Sequence, residues 1–232
     1  MGAATARGFA TDGANVLVVD RNGSLAAQLA RDIGAGEPWV GDVSDSQFCS
    51  SAVAEAVRRH GRLDIVVNAA GIIVRASGEQ TSDDDWRRIM SVNVDGTFFM
   101  CRAAIRVMKA AGNGAIVNFG SIWGDLGSSG VAAYCASKGA VHNLTRALAM
   151  DHCTDGIRVN AVCPGEVNTP MLQSERNAPV TAEMMAAIAA SVPMQRLADP
   201  SEIANVVMFL ASDDASYMTG ALVPVDAGYS AR

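Results

Sequence analysis

Ser121, Tyr134 and Lys138 are residue types that together can move a proton. Tyr134 and Lys138 lie four residues apart in a stretch with helical periodicity, which places both side chains on one helix face. A cation beside a phenol stabilises the phenolate, so we expect Lys138 to lower the pKa of Tyr134 towards the range useful for acid–base chemistry. Ser121 follows the apolar run 115–119, which predicts a buried strand. Its hydroxyl could hydrogen-bond the oxygen whose proton moves.

The spacing of Tyr134 and Lys138 is common, so alone it is weak support for a catalytic site. The presence of lysine, and not arginine, at position 138 strengthens that support. The chain has 18 lysine and arginine residues, and only Lys109 and Lys138 among them are lysines. The rigid, forked guanidinium of arginine is not equivalent to a compact ammonium group. Lysine at this position therefore favours a specific role.

Further motifs follow in a fixed order along the chain. Asn68-Ala69-Ala70-Gly71 comes after the apolar run 64–67, Asn93 lies within SVNVDG, and a tail reads TGALVPVDAG. The segment after the strand 158–162 reads P-G-x-V-x-T, with Pro164, Gly165, Val167 and Thr169 at the defined positions. Together with Ser121 and the Y-x-x-x-K pattern, these motifs resemble those of the short-chain dehydrogenase/reductase family over nearly the whole chain.

The resemblance implies an oxidoreductase that transfers a hydride between NAD and a secondary alcohol or ketone. Tyr134 would be the acid/base, Ser121 would orient the substrate oxygen, and Lys138 would also hold the nicotinamide ribose. Asn93 would hold a water beside the lysine. The remaining matched positions would contact the cofactor: Asn68, Ala69, Ala70 and Gly71 after one strand, and Pro164, Gly165, Val167 and Thr169 at the nicotinamide end.

Asp20 bears on the choice between NAD and NADP. It ends the apolar strand 16–19, where a carboxylate accepts hydrogen bonds from the adenosine ribose and repels a 2′-phosphate. This favours NAD, although Arg21 could bind that phosphate. The alternative is that Asp20 only caps the following turn. By resemblance, Asp42 and Val43 contact the adenine, with Asp42 on its amino group.

The beginning of the sequence departs from the family pattern. The family opens with a strand and a T-G-x-x-x-G-I-G turn, whereas residues 1–10 fit the helix that follows that turn, with Gly2 at its last glycine. About a dozen residues, including the first strand, have no counterpart. We expect either a start that is placed too late or a shortened chain; a chain that truly lacks the strand is the alternative. Neighbouring strands would then carry unpaired backbone groups.

The alternation of apolar runs with helical stretches predicts one doubly wound parallel sheet of the Rossmann type, a single domain over residues 1–232.

Residues 170–197 are expected to form a lid over the substrate. Trp123, Glu166 and Met171 flank matched positions and are candidate substrate neighbours, although Trp123 could equally be a packing residue. The predicted strands are 16–19, 39–43, 64–67, 115–119, 158–162 and 222–225, and the predicted helices are 24–33, 46–60, 83–111, 130–151, 181–190 and 200–210.

Composition argues against several other classes of protein. The net charge is −6 and no basic run interleaves with aromatic residues, so a nucleic-acid partner is not expected. No apolar stretch reaches membrane-spanning length. The histidines lack the spacing of metal ligands. Five cysteines without a C-x-x-C motif favour a reducing cytoplasm.

Two expectations concern partners. The resemblance implies a homo-oligomer, a dimer or tetramer, that pairs the helices 83–111 and 130–151. The alternative to an enzyme is a dinucleotide-fold protein that binds or scaffolds without turnover. The shortened front end supports that alternative. The set Asn93, Ser121, Tyr134 and Lys138 argues against it, because a protein without catalysis has no physical need for all four.

Overall fold

The structure, a computed structural model, describes residues 1–176 and 178–231. The helices are α1 (Gly2–Thr11), α2 (Gly23–Ile33), α3 (Ser46–His60), α4 (Asp83–Met90), α5 (Gly96–Ala111), α6 (Ala132–His152), α7 (Ala182–Ser191) and α8 (Pro200–Ala211). The strands are β1 (Val16–Asp20), β2 (Gly36–Val40), β3 (Ile65–Asn68), β4 (Gly114–Phe119), β5 (Ile157–Pro164) and β6 (Leu222–Val225). All strand pairs are parallel, which confirms the predicted α/β fold.

Strand β4 shows how helices cover both faces of the larger sheet. It is buried along its whole length, and its side chains alternate between two clusters, as a strand period of two requires. Ile116 packs with Met108 of α5 and Leu148 of α6. Val117 packs with Ile203 of α8 on the other face. The carboxyl ends of β4 and β5 thus emerge together from a rigid, apolar core.

The strands form two separate sheets. One contains β1 and β2, and the other contains β3, β4, β5 and β6 in that order. β1 and β3 line one cavity of about 950 Å³, and no strand of residues 1–176 or 178–231 lies between them. This gap agrees with the prediction that the sequence lacks the family's first strand. The cavity-facing edges of β1 and β3 have no neighbouring strand to pair with.

Two predicted elements were wrong in their bounds. The helix expected over 83–111 is interrupted, because Ser91–Asp95 forms a π-helical turn between α4 and α5. The strand expected over 39–43 is β2, which ends at Val40. Beyond it, a Cβ on Gly41 would meet the Phe48 ring at 2.2 Å, and Asp42 accepts the Ser44 N–H in a turn. Local turn contacts therefore end the strand before Asp42.

Candidate active site

Two strand ends bring Ser121, Tyr134 and the predicted nicotinamide-end residues to one small cavity, whereas Asn93 and Lys138 are not among its lining residues. Ser121 follows β4, Pro164 ends β5, and Tyr134 lies in the first turn of α6. All three line a cavity of about 190 Å³. The same cavity is lined by the predicted positions Gly165, Val167 and Thr169 and by the three candidate substrate neighbours Trp123, Glu166 and Met171.

The Tyr134 pKa differs from the expected direction. Burial raises the pKa of Tyr134 to about 12, and a hydrogen bond from Ser121 opposes that rise only in part. The raised Tyr134 pKa is opposite to the direction expected from the sequence. The Lys138 Nζ lies 5.7 Å from the centre of the Tyr134 ring and donates a 2.7 Å hydrogen bond to the Phe119 carbonyl. Burial also lowers the pKa of Lys138 to about 8. Removal of both groups from water is thus the larger effect.

Asn93 lies in the π-helical turn and fixes the loop after β3. Its Oδ1 accepts the Ile72 N–H at 2.8 Å, and its Nδ2 donates to the Ile72 carbonyl at 2.9 Å and to the Ser137 hydroxyl at 2.9 Å. A Cβ on Gly71 would lie 3.4 Å from Asn93 Oδ1 and 3.6 Å from Lys138 Nζ. Asn93, Gly71 and Lys138 are therefore neighbours, as the resemblance implies.

His142 belongs to this neighbourhood, although the sequence did not indicate a role for it. It is buried, its Nε2 lies 3.3 Å from the Ser121 backbone nitrogen, and its Nδ1 lies 3.2 Å from an Asp125 carboxylate oxygen. The Ser121 N–H must donate to Nε2, so Nδ1 carries the proton and donates to Asp125. The Cys163 Sγ also lies 3.3 Å from Nε2. His142 follows Lys138 by four residues, and that spacing was the available signal.

The Asp125–His142–Ser121 arrangement is not a nucleophilic triad. His142 accepts from the Ser121 backbone, whereas the Ser121 hydroxyl accepts the Trp123 N–H at 3.2 Å. A Cβ on Gly120 or Gly124 would lie 2.4 Å from the imidazole. Glycines at these two positions make room for the ring. His142 therefore holds the main chain that presents Ser121 rather than activating its hydroxyl.

The larger cavity, of about 950 Å³, gathers the remaining predicted cofactor residues: Gly2, Asp20, Arg21, Asp42, Val43, Asn68, Ala69, Ala70 and Gly71. Asp20 Oδ1 accepts the Asn22 N–H at 2.8 Å, so the alternative reading of Asp20 as a turn cap is present. That hydrogen bond uses only Oδ1 of Asp20, so Oδ2 could still accept a hydrogen bond from a ribose hydroxyl. The Asn68 side chain donates to Asn118 Oδ1 at 2.8 Å, which leaves its backbone to face the cavity.

This arrangement fits a dinucleotide. α1 begins without a side-chain cap, and a Cβ on Gly2 would lie 3.1 Å from the Ala69 Cβ. The uncapped amides of this helix end, beside residues 68–71, are suited to a pyrophosphate. Asp20 stands at the end of β1, where a ribose would be bound. The small cavity continues the site towards Tyr134.

Two charged side chains in the small cavity extend the predicted set. Arg75 and Arg176 line it together with Glu166. Burial raises the pKa of Glu166, while the two guanidinium groups act in the opposite direction. Trp123 lines the cavity and also packs edge-on against Tyr229, with ring centres 5.3 Å apart. Its contact with substrate stays a prediction.

The expected lid contributes to this cavity. Met171, Leu172, Arg176 and Ile188 line it, and α7 lies within the predicted range 170–197. Residue 177 of that range lies outside the described residues.

Among residues 1–176 and 178–231, there is no group of three metal-ligating side chains, and all five cysteines are free thiols. No helix in the described part of the chain is long and apolar enough to cross a membrane.

Comparison with known proteins places this geometry in context. The family model described as enoyl-(acyl carrier protein) reductase matches residues 1–230. The galactitol 2-dehydrogenase (L-tagatose-forming) of Cereibacter sphaeroides is 43% identical over 228 residues, which cover 97% of this chain and 88% of that protein. The meso-2,3-butanediol dehydrogenase of Serratia marcescens is 41% identical over 234 residues, covering 100% of this chain and 90% of that protein.

A solved short-chain dehydrogenase/reductase structure from Burkholderia xenovorans superimposes with a TM-score of 0.92 at 33% identity, covering 100% of this chain and 90% of that one. These relatives are oxidoreductases, and the fold and motifs match over the whole chain. Proteins of this kind use a nicotinamide dinucleotide. The chain belongs to the short-chain dehydrogenase/reductase family.

Proposed function

We propose that this protein is an NAD-dependent dehydrogenase that interconverts a secondary alcohol and a ketone. The observation that carries the proposal is the convergence of Ser121 and Tyr134 in one cavity, with Lys138 Nζ 5.7 Å from the Tyr134 ring centre. The relatives in Cereibacter sphaeroides and Serratia marcescens are named as dehydrogenases of polyhydroxylated or diol compounds. A small polar alcohol is therefore the expected class of substrate, and no nucleic acid takes part.

Tyr134 acts as the acid/base. In the direction of oxidation its phenolate takes the hydroxyl proton, and Ser121 hydrogen-bonds the substrate oxygen so that the proton faces Tyr134. The phenolate needs stabilisation, because burial alone opposes it. Lys138 supplies positive charge on the same helix face, and Asn93 with Ser137 fixes the loop beside it. A nicotinamide ring, when bound, supplies the hydride acceptor.

The chain's own residues can hold that cofactor along the two cavities. Asp20 would bind the adenosine ribose, Asp42 and Val43 the adenine, and the α1 end with residues 68–71 the pyrophosphate. Lys138 would bind the nicotinamide ribose, and the segment 164–169 would face the nicotinamide. Asp20 favours NAD over NADP by charge. The proposal extends to a homo-oligomer, a dimer or tetramer, paired through α5 and α6.

The test is the substitution Tyr134→Phe, which removes the phenolic proton carrier and leaves the ring. We expect turnover of small secondary alcohols with NAD to fall by at least about two orders of magnitude. Tyr217→Phe is a matched control, because Tyr217 is fully exposed and lies outside both cavities. Near-normal turnover by the Tyr134 variant would remove this residue from the mechanism.

The alternative, a protein that binds a dinucleotide without turnover, predicts a different result. Calorimetry would then show NAD binding to the wild type and to Tyr134→Phe alike, and neither protein would reduce NAD with any alcohol in a broad panel. The position of Ser121 and Tyr134 in one cavity favours the enzyme.

A further inference from the structure

The small cavity contains more positive charge than its own acidic residues can balance. Arg75 and Arg176 line it, and Glu166 is the only carboxylate among its lining residues. Two guanidinium groups and one carboxylate leave a net charge of +1. Burial raises the pKa of Glu166, and the two guanidinium groups act against that rise.

Neither arginine forms a salt bridge with a carboxylate among the described residues, although the charge of Glu166 interacts with both across the cavity. Arg75 donates from Nε to the Ser174 carbonyl at 3.1 Å and from Nη2 to the Met171 carbonyl at 3.2 Å. Arg176 donates from Nε to the Leu172 carbonyl at 2.7 Å. These acceptors are neutral and use only part of the five N–H donors of each guanidinium. Several arginines at the surface, in contrast, do form ion pairs with acids: Arg58, Arg62, Arg87, Arg88 and Arg196.

The carbonyl contacts also fix where the guanidinium groups lie. Arg75 follows β3 in the chain, yet it binds two carbonyls of the segment 171–174, close to where the cavity is bounded by the lid. Both arginines are partly buried, and burial lowers the pKa of Arg75. Partial removal of a guanidinium from water is costly, and the one carboxylate of Glu166 can offset only one of the two charges. A planar oxyanion would offer an arginine charge-assisted, two-pronged hydrogen bonds.

Apolar side chains complete the lining of the cavity that the two arginines share with Ser121 and Tyr134: Ile73, Val131, Leu172 and Ile188. The charge of Arg75 also acts on Tyr134 and lowers its pKa. We propose that the substrate is a small hydroxy acid whose carboxylate binds Arg75 and Arg176 while its secondary hydroxyl faces Ser121 and Tyr134. This rests on the proposed function for the hydroxyl end only. The cavity of about 190 Å³ suits a compact molecule.

The first experiment compares short hydroxy acids, such as 3-hydroxybutyrate, with their methyl esters, which keep the shape and remove the charge. We expect the wild type to favour the acid in kcat/KM by at least about tenfold, the scale of one good charged contact. Arg75→Gln should reduce this ratio to within about threefold of unity. Because the Arg75 charge also lowers the pKa of Tyr134, we expect a smaller fall in kcat/KM for the ester beside the larger fall for the acid. The ester thus reports any damage to the segment that Arg75 holds.

Two further variants sharpen that comparison. Arg75→Lys keeps a charge but loses the fork, so it should retain part of the preference for the acid. Arg58→Gln makes the same change at an exposed arginine of α3 and should keep the wild-type ratio. An equal kcat/KM for acid and ester in the wild type, or an equal fall for both in Arg75→Gln, would overturn the proposal.

The second experiment needs no turnover. Calorimetry with cyclohexanecarboxylate and the uncharged cyclohexanecarboxamide, in the presence of NAD, measures the anion site directly. We expect the carboxylate to bind at least about tenfold more tightly to the wild type and to Tyr134→Phe, and this difference to disappear in Arg75→Gln. If the protein oxidises neither the hydroxy acids nor their methyl esters but still shows this difference in binding, the proposed reaction is wrong and the anion site is supported. Equal binding of the two ligands to the wild type would refute the anion site.

Discussion

At the scale of single residues, burial rather than charge pairing dominates the centre of the site. Tyr134 and Lys138 are both removed from water, which raises the pKa of Tyr134 to about 12 and lowers that of Lys138 to about 8. Lys138 therefore still carries its charge near neutral pH. Sequence spacing located the two residues correctly on one helix, but it could not show how deeply they lie. The direction of the Tyr134 pKa was wrong for that reason. Desolvation depends on packing from β4 and α6 together, which no local pattern contains.

Asp20 provides a test of cofactor choice at this scale. Asp20→Asn keeps an oxygen that can accept the Asn22 N–H and removes only the charge, unlike Asp20→Ala, which also removes the turn cap. We expect the wild type to show higher kcat/KM with NAD than with NADP, and Asp20→Asn to narrow that gap, because the repulsion of a 2′-phosphate is lost.

The substitution Arg21→Gln tests the opposite effect, since Arg21 lines the same cavity and could bind the 2′-phosphate of NADP. Loss of this guanidinium should increase the preference for NAD over NADP. A wild type that prefers NADP, with the preference lost in Arg21→Gln, would assign the choice to Arg21 instead of Asp20.

At the scale of elements, the sequence predicted regular helices and strands well and local irregularities poorly. The bounds of α3 agree with the prediction at both ends, because an aspartate cap and a terminal glycine mark them. The π-helical turn at 91–95 has no such mark, since its residues also suit an α-helix. It depends on the Asn93 contacts with Ile72 and Ser137, which are distant in the sequence.

His142 links three elements, since it lies on α6 and reaches the segments that follow β4 and end β5. His142→Leu should leave the buried Ser121 N–H unpaired, at a cost of about 1–3 kcal/mol in the free energy of unfolding. It should also lower kcat by about tenfold or more with little change in KM, because Ser121 is presented less well. His142→Gln supplies another acceptor and should recover part of kcat.

The measurement is steady-state kinetics well below the melting temperature, beside urea unfolding of both variants. A purely structural role would give a loss of stability without the change in kcat, and the Gln variant would then offer no kinetic recovery. Full kcat in His142→Leu would exclude His142 as a positioning residue.

At the scale of the whole molecule, the gap between the two sheets is the main departure from a continuous Rossmann sheet. β1 and β3 each pair with one strand only, and both line the large cavity. α1 begins beside Ala69, just past the carboxyl end of β3. A segment joined to the start of α1 could therefore run parallel to β1 and β3 and end at that edge. The sequence motifs predicted that the family's first strand has no counterpart in these residues, and this stays a prediction.

Fusion of an apolar, β-branched segment of about six residues before Met1 should fill this gap. We expect the melting temperature to rise by several degrees, NAD to bind more tightly, and the amides of β1 and β3 to exchange more slowly. A segment of equal length with alternating prolines lacks half of the donors and is the control. Unchanged exchange in both strands would show that the segment does not pair there.

The burial of Tyr134 and Lys138 also makes unfolding a proton-coupled event. The Lys138 pKa is about 8 in the fold against 10.5 for a free side chain, so between these values the unfolded chain binds more protons, and stability rises with pH. The Tyr134 pKa is about 12 against 10.0, so above pH 10.0 the folded chain holds the extra proton and stability falls. The two contributions have opposite slopes, so these two groups together oppose folding least near pH 10. Urea unfolding of the wild type and of Tyr134→Phe between pH 8 and pH 11 would measure the part that Tyr134 contributes.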